Sequence, residues 1–378
     1  MYELPDEEVS TGLRRIIGDA LASSDGWLGF DAFMALALYA PGLGYYARDS
    51  LKFGTLPYQR QDGRLVAGSD FVTAPEISPL FGQTLATQLT QALAETKTNT
   101  LWEFGAGSGA LALQLLSSWA EQGQRLPQYR IVELSATLRA RQQATLAAFT
   151  DQVQWVDALP AQLTGVLLGN EVLDAMPVKL LARVGGAWFE RGVAAAADGT
   201  GWAWQDRPTA LRPPFEVAGE HDYLSEIHPQ AEAFIRTLAE RLVGGAAFFI
   251  DYGFPEHEYY HPQRHMGTLM CHRAHQSDPN PLVLVGHKDI TAHVNFTGIA
   301  LAAQDAGLTV LGYCNQARFL INCGIGPRLD AAPLPQRAQA QHLLQEHEMG
   351  ELFKVIGLGR GQPWDALGFA QGDRTHTL

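Results

Sequence analysis

Near the first third of the chain, Leu101-Trp102-Glu103-Phe104-Gly105-Ala106-Gly107-Ser108-Gly109-Ala110 joins an apolar strand end to a long apolar stretch of helical spacing. Three glycines stand at alternate positions in the turn. Glycine has no Cβ and tolerates positive φ, so backbone here can come close to a ligand, and the following helix offers unpaired N–H groups. A strand, a tight glycine turn and a helix in that order predict a nucleotide-sized socket at the carboxyl end of a strand.

The residues that follow repeat the unit. After a helix at 79–94, strands are expected at 101–104, 129–134, 153–156, 165–168 and 246–250, with helices at 111–121 and 136–149 between the earlier ones. Alternation of this kind predicts an α/β fold whose mostly parallel sheet is covered on both faces. Two stretches interrupt it. Around 188–204 two aromatic runs flank an Ala/Asp/Gly turn and read as a β-hairpin, followed by a linker and a helix at 231–242. The second, 254–294, is rich in histidine and leads to an expected helix over 289–303. Late strands at 308–313 and 353–358 suit an antiparallel pair. Ahead of the alternation, helices are expected at 9–21 and 31–39, the latter capped by Asp31. Between 40 and 78, glycine, aromatic and turn residues without a period predict a long ordered loop.

Charge narrows the function. Lys and Arg total 27 against 40 Asp and Glu, a formal net charge of -13, which argues against gripping nucleic acid through its phosphates and favours a cationic ligand or basic peptide. Cys271, Cys314 and Cys323 form neither a disulfide framework nor a zinc-ribbon spacing, so a reducing compartment is expected. The acidic start and the lack of any long apolar run predict no leader peptide and no membrane span, hence a cytoplasmic protein.

The glycine turn alone leaves the cofactor open, because Gly105, Gly107 and Ala110 also satisfy the dinucleotide pattern G-x-G-x-x-A. Glu103, inside the strand end, shifts the balance: an anion there repels a pyrophosphate and holds an ammonium. S-adenosylmethionine carries both an ammonium and a sulfonium. Glu133, at the end of the second strand, is placed to accept from ribose hydroxyls, and Asp157, after the third, is a weaker candidate for the adenine end. At Gly169-Asn170-Glu171-Val172-Leu173-Asp174-Ala175-Met176-Pro177-Val178 acids follow an apolar strand where the transferable methyl should lie. Glu171 and Asp174 can orient a guanidinium and accept its proton, although Asp174 can equally cap the turn. His257-Glu258-Tyr259-Tyr260-His261 matches the zinc pattern H-E-x-x-H, but Pro255 and Pro262 leave barely one helical turn, and no metal is expected.

These runs, in order with Ser69-Asp70-Phe71-Val72-Thr73-Ala74-Pro75-Glu76-Ile77-Ser78, Asp251-Tyr252-Gly253, Gly267-Thr268-Leu269, Asp289-Ile290-Thr291-Ala292-His293-Val294-Asn295-Phe296 and Met349-Gly350-Glu351-Leu352-Phe353-Lys354-Val355, resemble the MidA-like family of class I S-adenosylmethionine-dependent methyltransferases. The family includes a mitochondrial complex I assembly factor. The resemblance spans nearly the whole chain and implies a seven-stranded Rossmann-like core over residues 79–378, with insertions at about 183–230 and 254–295. Residues 1–78 then supply a helical segment and an active-site loop. It further implies S-adenosylmethionine as cofactor, held by Glu103, Gly105, Gly107, Gly109, Glu133 and Asp157 with Thr73, Pro75 and Glu76. Asn170, Glu171 and Asp174 would carry transfer to a protein arginine, in the relative that of a respiratory complex I subunit. A cofactor-binding assembly protein, a small-molecule methyltransferase and an NAD(P)-dependent oxidoreductase are the alternatives. The segment 55–67 is longer than the family pattern.

Overall fold

The computed structural model describes residues 6–47, 58–59, 65–66, 73–124, 127–273 and 276–378. Seven strands form its central sheet: β1 (Thr100–Phe104), β2 (Gln128–Val132), β3 (Val153–Val156), β4 (Leu163–Asn170), β5 (Leu242–Phe254), β6 (Thr309–Asn315) and β7 (Phe353–Arg360). They lie in the order β3-β2-β1-β4-β5-β7-β6. β1 to β5 run parallel, and β7 is antiparallel to both β5 and β6. The two-residue strand Val294–Asn295 pairs beside the end of β5. Chain order therefore reverses between β1 and β4, where a crevice opens at the carboxyl edge.

Among the helices are α1 (Asp6–Ala22), α2 (Phe30–Tyr39), α3 (Leu80–Glu95), α4 (Ala110–Glu121), α5 (Ala136–Thr145), α6 (Pro229–Arg241) and α7 (Phe296–Asp305). Successive side chains of a strand point to opposite faces, so an apolar run feeds two cores. Leu101, Val166, Leu168, Phe248 and Ile250 pack with α3 and α4. Trp102, Phe104, Leu167, Ala247 and Phe249 pack with α6 and α7. The almost uninterrupted apolar strands are thus explained by burial on both sides.

A second, antiparallel sheet adjoins this core. Lys179–Val184, Ala187–Ala195, Trp202–Pro208 and Tyr223–Ile227 compose it with Leu28–Gly29. The hairpin expected around 188–204 is present and is preceded by a strand that the sequence did not advertise. α1 and α2 pack their apolar faces on this sheet and on Cys271 and Ile290, which fixes the end of α2 beside the crevice. Asp31 does not cap α2: Gly29 occupies that position without a side-chain bond, and the Asp31 carboxylate pairs with Lys179 at 3.1 Å.

Two other expectations change. Residues 289–303 are not one helix: Asp289–Thr291 pairs antiparallel with Met270–Arg273, and α7 starts only at Phe296. Asn295 makes that boundary, its Oδ1 accepting the Gly298 N–H at 3.3 Å. The expected helix 136–149 ends at Thr145 and is followed by a 3₁₀ turn, Ala147–Phe149. Within the long loop, Tyr58–Gln59 pairs with Leu65–Val66, and Ala74–Ile77 forms one helical turn. The rest of 55–67, Ser69 to Val72 and His275 lie outside the described residues. Glu256–Tyr259, which overlaps the start of the H-E-x-x-H run, is a single turn.

Candidate active site at the carboxyl edge of the sheet

A cavity of about 560 Å³ opens over the ends of β1, β2 and β4, a size usual for small-ligand sites. Its lining includes Thr73, Pro75, Glu76, Glu103, Gly105, Gly107, Glu133, Asn170 and Glu171. Residues from four distant stretches of sequence thus meet in one place.

The glycine turn forms the floor. Gly105, Gly107 and Gly109 have φ of 63°, 53° and 84°, values that a side chain disfavours. A Cβ on Gly105 would come within 2.9 Å of Val172, whereas one on Gly107 would meet nothing within 4 Å, so bare backbone faces open space there. Gly109 caps α4 in the left-handed region and does not itself line the cavity. Glu103 is buried, and the Tyr129 hydroxyl donates to its Oε2 at 2.8 Å. Burial raises the Glu103 carboxyl to about 7 against the lowering effect of that bond, and the Glu133 charge adds to the rise. A group poised there gains from a cationic neighbour.

Glu133 is fixed from two sides. The Ser135 N–H donates to Oε1 at 2.8 Å and Gln142 Nε2 to Oε2 at 3.0 Å, which leaves lone pairs on both oxygens for a diol. Gln142, fully buried, also donates to the Gly107 carbonyl at 3.1 Å and accepts from the Trp155 indole at 2.9 Å. One amide therefore locks the glycine turn to the end of β2. The Thr73 to Ser78 turn is tied to the same floor: Glu76 Oε1 accepts from the Ser108 hydroxyl, and Gln114 donates to the Pro75 carbonyl at 2.6 Å. Asp157 is apart from these groups. Its side chain is 78% exposed, ion-paired with Arg139, and absent from the cavity lining.

The other end of the cavity is acidic. Glu171 follows β4 with φ of +54°, a left-handed conformation uncommon for a residue with a Cβ. Its N–H donates to the Ile250 carbonyl at 2.9 Å. The turn after it hangs on Asp251, whose Oδ2 accepts the N–H groups of Val172, Leu173 and Asp174 at 3.1, 2.9 and 3.3 Å. Those bonds offset the strain and hold the Glu171 carboxylate in the cavity wall, where Asn170 Nδ2 donates to it at 3.0 Å. Burial raises the Glu171 carboxyl to about 8, with the Asp174 charge adding to the rise and the Asn170 bond opposing it. Asp174 stands behind the wall, accepting from the Tyr252 hydroxyl, and burial raises it to about 6. Burial, reinforced by Asp174 and Glu171, holds Asp251 well above the usual carboxylate range. Three crowded acids give this end of the cavity a strong preference for a cation.

The model of a family described as S-adenosyl-L-methionine-dependent methyltransferases matches residues 80–314. The chain belongs to that family. A solved relative from Burkholderia thailandensis, crystallised with S-adenosyl-homocysteine, is 46% identical over 100% of both chains, with a TM-score of 0.91. The mitochondrial protein arginine methyltransferase NDUFAF7 of Danio rerio is 26% identical, covering 86% of this chain and 82% of that protein. Its Caenorhabditis elegans homolog is 24% identical over 93% and 87%.

S-adenosylmethionine is therefore the cofactor of this methyltransferase, and the cavity suits it. Bare backbone at Gly107, a buried acid at Glu103 and a carboxylate with spare lone pairs at Glu133 match a cationic amino-acid end and a ribose. The oxidoreductase alternative is set aside by the family. Tyr129, Gln142, Asp251 and Tyr252 were not singled out for roles from sequence. Gln142 gave no signal because its three partners lie on different elements, whereas Asp251-Tyr252 stood in a recognisable run without a role attached.

Proposed function

We propose that this methyltransferase acts on the guanidinium of a protein arginine, and that Glu171 is the group that binds and deprotonates it. The observation that carries this is the acidic wall after β4, beside the cofactor socket. Asn170 Oδ1 supports it, since it is buried and has no hydrogen-bond partner among the described residues. A guanidinium brings five N–H donors and a positive charge to such acceptors. The names of the mitochondrial relatives point the same way, and the resemblance adds a respiratory-chain subunit as the kind of acceptor, met in the cytoplasm.

When bound, S-adenosylmethionine supplies a methyl group on a sulfonium leaving group. The chain's own part is alignment and proton removal. Glu103, Gly105 and Gly107 hold the amino-acid end, and Glu133 the ribose. Asn170 and Glu171 orient the guanidinium by in-plane hydrogen bonds. Glu171, as the carboxylate, takes the proton that the methylated nitrogen sheds, and its raised affinity for protons favours that transfer. Asp174, held by Tyr252, keeps negative charge behind it.

The test is incubation of the purified protein with methyl-labelled cofactor and lysate of a strain lacking it, followed by mass spectrometry. Label on arginine of a protein is expected. Label confined to metabolites, or to another side chain, would overturn arginine as the acceptor.

A further inference from the structure

Tyr39 at the end of α2 and Tyr46 in the turn beyond it form an aromatic pair to which the cofactor assignment above gives no role. Tyr39 and Tyr46 stack with ring centroids 5.6 Å apart and planes 20° from parallel, and both line the cavity. Each hydroxyl is engaged. Tyr39 donates to the Ala175 carbonyl at 2.8 Å, and Tyr46 donates to Asp289 Oδ1 at 2.8 Å. Ala175 lies shortly beyond the end of β4, so its bond with Tyr39 sets the pair on the acceptor side of the cavity. Tyr39 nevertheless keeps 42% of its surface exposed. With its hydroxyl occupied and Tyr46 stacked behind it, Tyr39 has its ring to offer a ligand.

We infer that Tyr39 and Tyr46 form an aromatic wall of the acceptor chamber that selects a planar guanidinium over an ammonium. This rests on arginine as the acceptor. A guanidinium has two chemically different surfaces: an edge of N–H donors and a weakly hydrated face. Asn170 and Glu171 suit the edge, and a tyrosine ring suits the face by stacking and by cation–π attraction. An ammonium is a strongly hydrated point charge without a face, so it uses the acids and gains less from the ring. Both phenols stay neutral at working pH: their hydroxyl ends are buried against the Ala175 carbonyl and Asp289 even though the Tyr39 ring is partly exposed, and that burial, with Asp289 and Asp174 nearby, holds them far above the usual range. The wall is consequently not a base and acts by shape and quadrupole. The second sheet and the insertion gain a purpose from this, because the sheet seats α2 and the insertion supplies Asp289.

The test loads the protein with S-adenosyl-homocysteine and titrates it with N-acetyl-arginine methylamide or N-acetyl-lysine methylamide, read by ligand-observed NMR. Wild type, Tyr39→Phe and Tyr39→Leu are compared, and S-adenosyl-homocysteine affinity reports on folding. Tyr39→Leu is expected to weaken the arginine probe at least about fivefold, to narrow the arginine-to-lysine ratio, and to leave S-adenosyl-homocysteine affinity unchanged. Tyr39→Phe, which keeps the ring, should retain most of the ratio. If wild type prefers arginine and Tyr39→Leu keeps that preference, the wall is refuted while arginine as the acceptor stands. If wild type shows no preference for the arginine probe, both are overturned.

Discussion

The two ends of the cavity are built in opposite ways. At the cofactor end, Glu103, the glycine turn and Glu133 lie within about thirty residues of one another, on consecutive β-α units, and Gln142 on the next helix binds them together. At the acceptor end, Tyr39, Asn170, Glu171, Asp251 and Asp289 come from four separated stretches: the pairing of β4 with β5 brings Asp251 to Glu171, and the packing of α2, the second sheet and the insertion brings Tyr39 and Asp289. A socket made by one local motif suits a cofactor shared by many enzymes. An acceptor chamber assembled from remote parts lets the substrate change while the cofactor stays.

If the ends are separable, damage at one should spare the other. Glu171→Gln removes the proton acceptor but keeps size and much of the hydrogen bonding. Turnover should fall by roughly 10²- to 10⁴-fold, while the dissociation constant for S-adenosyl-homocysteine, measured by calorimetry, stays within about twofold. A large loss of cofactor affinity would show that the two ends are one unit.

Gln142→Leu makes the reverse cut. It leaves the Trp155 indole N–H, the Gly107 carbonyl and a Glu133 oxygen without their partner. Each orphan that stays buried costs about 1–3 kcal/mol; because Gly107 and Glu133 border the open cavity, where water can replace the lost donor, a total loss of about 2–4 kcal/mol in stability is expected rather than the full sum. Denaturant melts should show it, together with weaker cofactor binding. Unchanged stability would mean that Gln142 is incidental to the socket.

How far each end could be read in advance follows from the same contrast. Glu103, Gly105, Gly107 and Glu133 were legible because strand, turn and helix signals place them relative to one another within a single β-α-β unit. The inner strands β1, β4, β5 and β7 were legible for a similar reason, because burial on both faces writes them as apolar runs, whereas β2 and β3, only part-buried, were legible from the helical periods beside them. Tyr39 and Tyr46 were not, since an aromatic at the end of an apolar helix and another in the loop after it read as ordinary packing until their tertiary neighbours are known. Asp31 misled for the opposite reason. A good capping residue was drawn away by Lys179, a partner nearly 150 residues distant. Residues 289–303 misled because a short strand and a helix N-terminus abut without glycine or proline between them.

Protonation offers a gentler cut. Glu103 must be ionised to hold the cofactor's ammonium, and burial places its titration at about 7. Below that value the ionised fraction falls tenfold per pH unit. S-adenosyl-homocysteine should accordingly bind about 30-fold more weakly at pH 5.5 than at pH 8. The sign is that of a raised carboxyl: the acid form prevails in the free protein below about 7, and binding must expel its proton. Glu103→Gln should be weaker at high pH and nearly flat across the range. A wild-type profile without a break between pH 6 and 8 would remove Glu103 from that role.

Asp157 gives the smallest effect and tests where the cofactor end stops. Its position after β3 made it a candidate for the adenine edge, yet its carboxylate is largely in water and paired with Arg139. An exposed carboxylate offers a ligand little, because water and the arginine already satisfy it and salt screens the rest. Replacing it with asparagine keeps an acceptor oxygen and removes only charge. Asp157→Asn should therefore change S-adenosyl-homocysteine affinity by no more than about fivefold, with a comparably small change in melting temperature. A loss above about tenfold would require Asp157 to leave Arg139 and close over the ligand, and Arg139→Ala should then tighten binding by freeing it. Without that response, the rigid part of the socket ends at Glu133 and Gln142.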